Sequence, residues 1–387
     1  MMKFWPSSLM LLGLLACQPA AEPETKSKAL FSQAAILAEA DRYLSQEPVP
    51  LTDTLCARSE GGPQDFYSEG DYWWPDPEHP DGPYIRKDGL SNPGNFVAHR
   101  RAMRNLSRWV ASLTAAYLAI EEDKYAAHAL KHLRAWFLNP DTRMNPHLLY
   151  GQAIKGRVSG RGIGIIDSIH LIEVARSIQR LQEKGYLKEE EWQGLRDWFV
   201  QYTDWLTTHP YGLDEKDHGN NHSTWWAAQV AVFADLVGRE DLLALCRDQF
   251  KKLLSEQMDE QGAFPDELAR TKPFNYSLFN LEAYAILADV ASTPEDNLWH
   301  YQAEHGSLKQ SITFLLPTIQ DKNQWAYQKD VEHFDELPIQ SATLLLAGKA
   351  YDEPTYVELW QGLSPERSSH EIDRTYPIRQ LSLWVNE

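Results

Sequence analysis

Cysteine is scarce in this 387-residue chain: Cys17, Cys56 and Cys246 are all there is. A disulfide framework is therefore excluded, and Cys246, inside an amphipathic stretch, reads as a buried free thiol. Positive charge is also short, 37 basic against 55 acidic residues for a formal net charge of -18. That balance argues against nucleic acid as a partner and for a self-repelling surface. Strand-like alternation is sparse, and after residue 16 no apolar run is long enough to cross a bilayer. Several motifs are missing as well. No G-x-S-x-G elbow, P-loop or dinucleotide fingerprint occurs. His128 and His132 are separated by Ala-Leu-Lys without a zinc-protease glutamate, and Gly219-Asn220-Asn221 between His218 and His222 argues against a helical metal pair. No metal or cofactor is expected.

What is present begins with Lys3, the apolar run Leu9–Ala16 and then Cys17. This resembles a bacterial lipoprotein leader, with Cys17 as the lipidated mature N-terminus. The expectation is an exported protein anchored in the cell envelope, in the periplasm or at the outer membrane of a Gram-negative bacterium, which Gln18 suits. Residues 1–17 are then the leader, 18–28 a polar tether and 29–387 one large domain, with lipid as the only membrane contact.

Within that domain the dominant period is helical. Leu106, Trp109, Val110, Leu113 and Tyr117 recur at three and four residues, as do Leu171, Val174, Ala175, Ile178 and Leu181. Similar patterns lie near 28–46, 123–138, 188–208, 222–237, 239–256, 276–292, 306–318, 336–349 and 375–386. About a dozen helices with short links predict stacked antiparallel pairs in an all-α domain. A ring of such pairs, an α/α toroid, buries an apolar face on every helix. An open solenoid is the competitor, but no fixed-period repeat supports it.

Two segments break the helical pattern. Residues 57–95 are rich in Pro and Gly yet hold Tyr67, Tyr72, Trp73, Trp74 and Tyr84, too aromatic for disorder. Residues 139–162 end in Gly156-Arg157-Val158-Ser159-Gly160-Arg161-Gly162, a basic stretch suited to an anion at a following helix start. Basic residues also gather in Arg86, Lys87, Arg100, Arg101, Arg104 and Arg108, opposed only by Asp88. Any one of these arginines alone reads as part of a solvated helix face.

The sharpest local feature is Asp217-His218-Gly219-Asn220-Asn221-His222-Ser223-Thr224-Trp225-Trp226 before an apolar run. One Asn or Ser suffices to cap the helix; the remaining polar side chains sit at its mouth, able to meet a carboxylate. Downstream, Pro273 separates Arg270 and Lys272 from a helix containing Tyr276. A buried tyrosine needs a hydroxyl partner, and Arg270, six residues earlier across a turn, is a candidate.

Asn221-His222, followed by Arg270 and Tyr276, resembles the catalytic quartet of the alginate lyase families built on α/α toroids. The Tyr72-Trp73-Trp74-Pro75 to Asn92-Pro93 loop and Gly160-Arg161-Gly162 resemble the same families, over about residues 65–290. The resemblance implies a lyase cleaving an acidic polysaccharide by β-elimination, mannuronate-rich alginate first, glucuronan or another uronan as the alternative. Abstracting the C5 proton of a uronate requires neutralising its carboxylate, a task for Asn221 and His222. Tyr276 then takes the C5 proton or protonates the leaving O4, its pKa lowered by Arg270; on a uronate whose C5 proton faces the other way, His222 is the base. Trp73, Trp74 and Tyr84 suit sugar stacking, and Arg86, Arg161, Asn220 and Lys272 suit substrate binding. Two other classes remain open: a toroid glycoside hydrolase using Asp167, Asp217 or Asp266, and a glycan-binding lipoprotein without catalysis.

Overall fold

The computed structural model describes residues 1–3, 30–367 and 369–385. Cys17, the tether and all but the first three residues of the leader lie outside the described residues. Among the described residues the helices are α1 (Gln33–Tyr43), α2 (Ala98–Ile120), α3 (Asp123–Leu133), α4 (Leu171–Glu183), α5 (Glu189–Thr208), α6 (Pro210–Lys216) and α7 (Asn221–Val237). They continue as α8 (Glu240–Gln257), α9 (Pro265–Leu268), α10 (Pro273–Ala291), α11 (Leu308–Gln320), α12 (Ala342–Ala350), α13 (Pro354–Gly362) and α14 (His370–Thr375). Helices α2, α4, α7, α10 and α12 touch one another in that order, and α3, α5, α8, α11 and α13 return the chain between or outside them. The domain is an α/α toroid.

Burial separates the two layers. Nearly every side chain of α7 and α10 is buried, whereas α5 and α8 bury one stripe and leave the other face polar. Phe233 of α7 is fully buried against Phe199 and Tyr202 of α5, with ring centroids at 5.2 and 5.7 Å. Each such ring contributes about 1.5–3 kcal/mol by leaving water. Helix α7 ends at Gly238, whose φ of 72° is the left-handed cap that glycine adopts without strain.

The two non-helical segments pair with each other. Strand β1 (Tyr67–Glu69) lies parallel to β4 (Tyr150–Ala153), while β2 (Trp73–Trp74) and β3 (Ile85–Arg86) form a short antiparallel pair. Gly160 passes so close to the Leu149 carbonyl that a Cβ there would overlap it. The glycine-rich stretch does not open an α-helix as expected. It runs into a 3-10 segment, Gly162–Ser168, and α4 starts only at Leu171, so no helix dipole reaches it. Cys56 and Cys246 are both free, and Cys246 is buried.

Three sequence expectations fail, mostly at the C-terminal side. The helix expected over 375–386 is absent from its described residues after Thr375: 376–385 run extended, with one 3-10 turn at Leu381–Leu383. Pro377 lacks an N–H, and the N–H groups of Arg379 and Gln380 go to Glu173 Oε1 of α4, at 2.6 and 2.7 Å. The helix expected from 336 begins at 342, after Pro338. The short helices α6, α13 and α14 were not foreseen.

Glu173 supplies a test of this packing. Burial pushes its carboxyl up to about 7, against the pull of the two backbone donors. A raised carboxyl pKa means that the folded state holds the proton more tightly. The contribution is complete below the unfolded pKa and is lost as pH rises through 7. Glu173→Gln, which cannot ionise, should therefore gain on the wild type by on the order of 3 kcal/mol between pH 4 and 8. Urea midpoints across that range measure it, and a pH-independent difference would contradict the assignment.

Candidate active site

Helices α7 and α10 pack along each other, with Trp225 and Phe279 in ring contact at 4.8 Å. Their first turns open on one cavity of about 500 Å³. Asn220 is the cap of α7: its Oδ1 accepts from the His222 N–H at 3.1 Å. Asn221 is fixed by Glu267 of α9, which accepts from the Asn221 backbone N–H and from its side-chain amide, each at 2.8 Å. Glu267 is almost wholly buried, and burial raises its carboxyl against the pull of those donors. His222 presents one edge to the cavity, while its Nδ1 meets Glu215 Oε1 of α6 at 2.8 Å.

Across from these residues, Tyr276 in the first turn of α10 has its hydroxyl 2.9 Å from the Tyr72 hydroxyl and 3.3 Å from Arg270 Nη2. The Arg270 guanidinium also covers the Tyr276 ring at 4.4 Å. Arg270 pulls the Tyr276 pKa down, as the sequence suggests, but it does not set the balance. Burial pushes the phenol above its ordinary range, and the opposing effects of Arg270 and Tyr72 do not reverse it. Tyr276 therefore faces the cavity as a protonated phenol.

The cavity is lined by guanidinium groups, most of them neutralised. Arg100 is buried and bonded to Asp71 and, at 2.8 Å, to Asp167; it is no solvated helix residue. Arg374 of α14 bridges Asp71 and Glu371 and donates to the Tyr72 hydroxyl at 3.2 Å. Arg270 and Arg86 share Asp88, at 3.1 and 2.6 Å. Arg161 differs, because its partners are neutral: the Gln152 carbonyl at 3.0 Å and the Gln152 side-chain oxygen at 2.9 Å. Burial lowers its guanidinium to about 10, so it stays charged at neutral pH and is open to an incoming carboxylate.

Comparison with known proteins bears on this arrangement. The model of the alginate lyase family matches residues 52–325. This chain belongs to the alginate lyase family. The alginate lyase of Pseudomonas aeruginosa (strain LESB58) is 30% identical over 134 residues, 34% of this chain and 35% of that protein. The chain thus matches about a third of the length of these relatives. The crystal structure of an alginate lyase from Bacteroides ovatus superposes with a TM-score of 0.81 at 29% identity, covering 93% of this chain and 94% of that one. Alginate lyase A1-III from Sphingomonas species A1 matches at a TM-score of 0.54 and 15% identity, over 91% and 95% of the two chains, and shares the fold.

Of the residues singled out in the sequence, Asn220, Asn221, His222, Arg270, Tyr276, Trp73, Arg86 and Arg161 meet at the alginate lyase family cavity. Lys272 does not. It is fully buried, with Nζ on Glu371 at 3.0 Å and Glu332 at 3.3 Å, and it braces the wall instead of facing substrate. Trp74 and Tyr84 lie outside the lining, covered by Lys87 at 4.9 Å and Lys155 at 5.6 Å. Trp73 lines the cavity under Arg157, at 5.2 Å. Sequence reasoning missed Glu215, Glu267 and Arg374. Glu267 lies three residues before Arg270 and was within reach of a closer reading, but Arg374 lies beyond the family match and carries no local signal.

Arg100 holds the wall together. Replacing it with Met strips Asp167 of the cation bonded to it and leaves a buried carboxylate without an ion-pair partner. Arg100→Met should cost about 3–5 kcal/mol in urea unfolding, whereas a loss below about 1 kcal/mol would show that the pair is solvated.

Proposed function

We propose that this protein is a polysaccharide lyase that cleaves alginate, or a closely related uronan, by β-elimination, leaving a 4,5-unsaturated uronate at the new non-reducing end. One observation carries the reading: the Tyr276 hydroxyl, set between Tyr72 and Arg270, faces the same cavity as Asn221, His222 and the carboxylate-free Arg161. The names of the relatives agree with it, and A1-III has been seen complexed with a tetrasaccharide. Arg161, with Asn221, supplies the positive field and donors that a uronate carboxylate needs as charge develops on it. Tyr276, protonated, delivers its proton to the departing O4. On mannuronate the C5 proton and O4 share a face, so one group can serve both: Tyr276, after releasing its own proton to solvent, takes the C5 proton and passes that proton to O4. On guluronate they lie on opposite faces, and His222 takes that part.

Among the described residues, the carboxyls that line the cavity are unsuited to the acid of a hydrolase. Asp71, Asp167 and Glu371, which line the cavity, are each bonded to a cation, and Asp217 and Asp266 are exposed outside it. A hydrolase needs one carboxyl that stays protonated near the scissile bond. We also propose that the protein is exported and anchored through Cys17, a reading supported by the Leu9–Ala16 run and the cysteine that follows.

Ultraviolet absorbance of the conjugated double bond tests the activity. Protein lacking residues 1–17 should raise it on alginate, and Tyr276→Phe should lower kcat by about 100-fold or more with KM little changed. New reducing ends without absorbance would move the assignment to a hydrolase; binding without either signal would make it a glycan-binding protein.

A further inference from the structure

Glu215 is a buried charge that the reaction as described does not use. It sits in α6, a helix of seven residues started by Pro210 and capped by the His209 ring, which accepts from the Tyr211 N–H at 3.1 Å. Its side chain is wholly buried, and Oε1 lies 2.8 Å from His222 Nδ1. The second oxygen, Oε2, has no hydrogen-bond partner among the described residues. The main chain of Glu215 is tied to the same helix start: its carbonyl accepts from Ser223 Oγ at 3.0 Å, and Ser223 Oγ accepts from the Gly219 N–H at 2.8 Å. Carboxylate and carbonyl therefore both serve the first turn of α7. A buried carboxylate with one partner is a poor stabilising device, because its desolvation offsets most of the attraction. It is a good orienting device, because an imidazole that donates from Nδ1 keeps its lone pair on Nε2.

We propose that Glu215 is a positioning residue for His222: it holds the Nδ1 proton, fixes the ring, and turns a bare Nε2 toward the substrate. This rests on the lyase reading above. The arrangement matters on a uronate whose C5 proton and O4 lie on opposite faces, as in guluronate. There the C5–H bond breaks and the proton passes to His222 Nε2. The C5–H electron pair forms the C4–C5 double bond, and O4 leaves with the pair of the broken C4–O4 bond and takes the Tyr276 proton. Exchange with water then returns a proton to Tyr276 and removes one from His222. On mannuronate, where the C5 proton and O4 share a face and Tyr276 handles both, Glu215 is dispensable for proton transfer.

Two measurements decide it. In wild-type protein labelled with ¹⁵N-histidine, the His222 signal, assigned by its absence in His222→Asn, should show a protonated Nδ1 and a bare Nε2; a proton on Nε2 with Nδ1 bare would overturn the proposal. In Glu215→Gln, which keeps the shape, kcat on guluronate blocks should fall by about 100-fold or more, KM should stay within about threefold, and kcat on mannuronate blocks should stay within about tenfold. Equal losses on both polymers would mean a structural role alone. Should the wild type cleave no uronan, the lyase reading fails by itself, and the histidine spectrum still decides whether Glu215 sets the tautomer.

Discussion

Two helix starts held side by side are the constraint from which the rest of the site follows. Helices α7 and α10 both begin at the cavity, and each leaves backbone N–H groups at its N-terminus that need acceptors. Neither is capped only by its own preceding residue. Glu267 accepts from Asn221, and Asp330 accepts from Phe274 and Asn275 at 2.8 and 3.0 Å. The favourable meeting of a carboxylate with a helix N-terminus fixes each first turn. Gln257 at the end of α8 then ties the pair together. Its Oε1 accepts from Asn280 and Tyr284, and its Nε2 donates to the Asn220 carbonyl. With both starts immobile, Asn221 and His222 on one helix and Tyr276 on the other have a fixed separation.

An acidic protein can still present a site for a polyanion, because the cavity field is local. The arginines around it are mostly internal counter-ions: Arg100 and Arg374 hold Asp71, and Arg270 holds Asp88. These pairs set the shape of the wall and contribute little net charge. Arg161 is held by neutral oxygens, so its charge remains available. Net charge thus describes the outer surface, whereas the field inside the cavity rests on which guanidinium lacks a carboxylate of its own.

Helical periodicity revealed α2, α4, α5, α7, α8, α10 and α11 because each buries a stripe or a whole cylinder of apolar residues. It was silent on α6, α13 and α14, which span two turns or so and take their stability from neighbours. It misread 375–386, where Glu173, two hundred residues away, claims backbone donors that a helix would have used. The polar quartet was legible because Asn221-His222 and Arg270…Tyr276 cluster around helix starts marked by Gly219 and Pro273. Lys272 shares that neighbourhood and misled for the same reason: a basic residue beside a turn looks exposed, and only tertiary packing places it against Glu371. Glu215 shows the limit most clearly, since burial of a carboxylate behind a histidine has no signature in spacing or composition.

Arg374 and Asp71 are 303 positions apart in the chain and bonded in the fold. Between them they support Tyr72, whose hydroxyl touches that of Tyr276. The cavity is therefore closed by a contact of very long range, which loop-closure entropy makes late to form. Helix pairs along the toroid can consolidate from local contacts while this seam is still open. Local helix pairing therefore accounts for most of the secondary structure, whereas the wall of the cavity is complete only where the two ends of the domain meet.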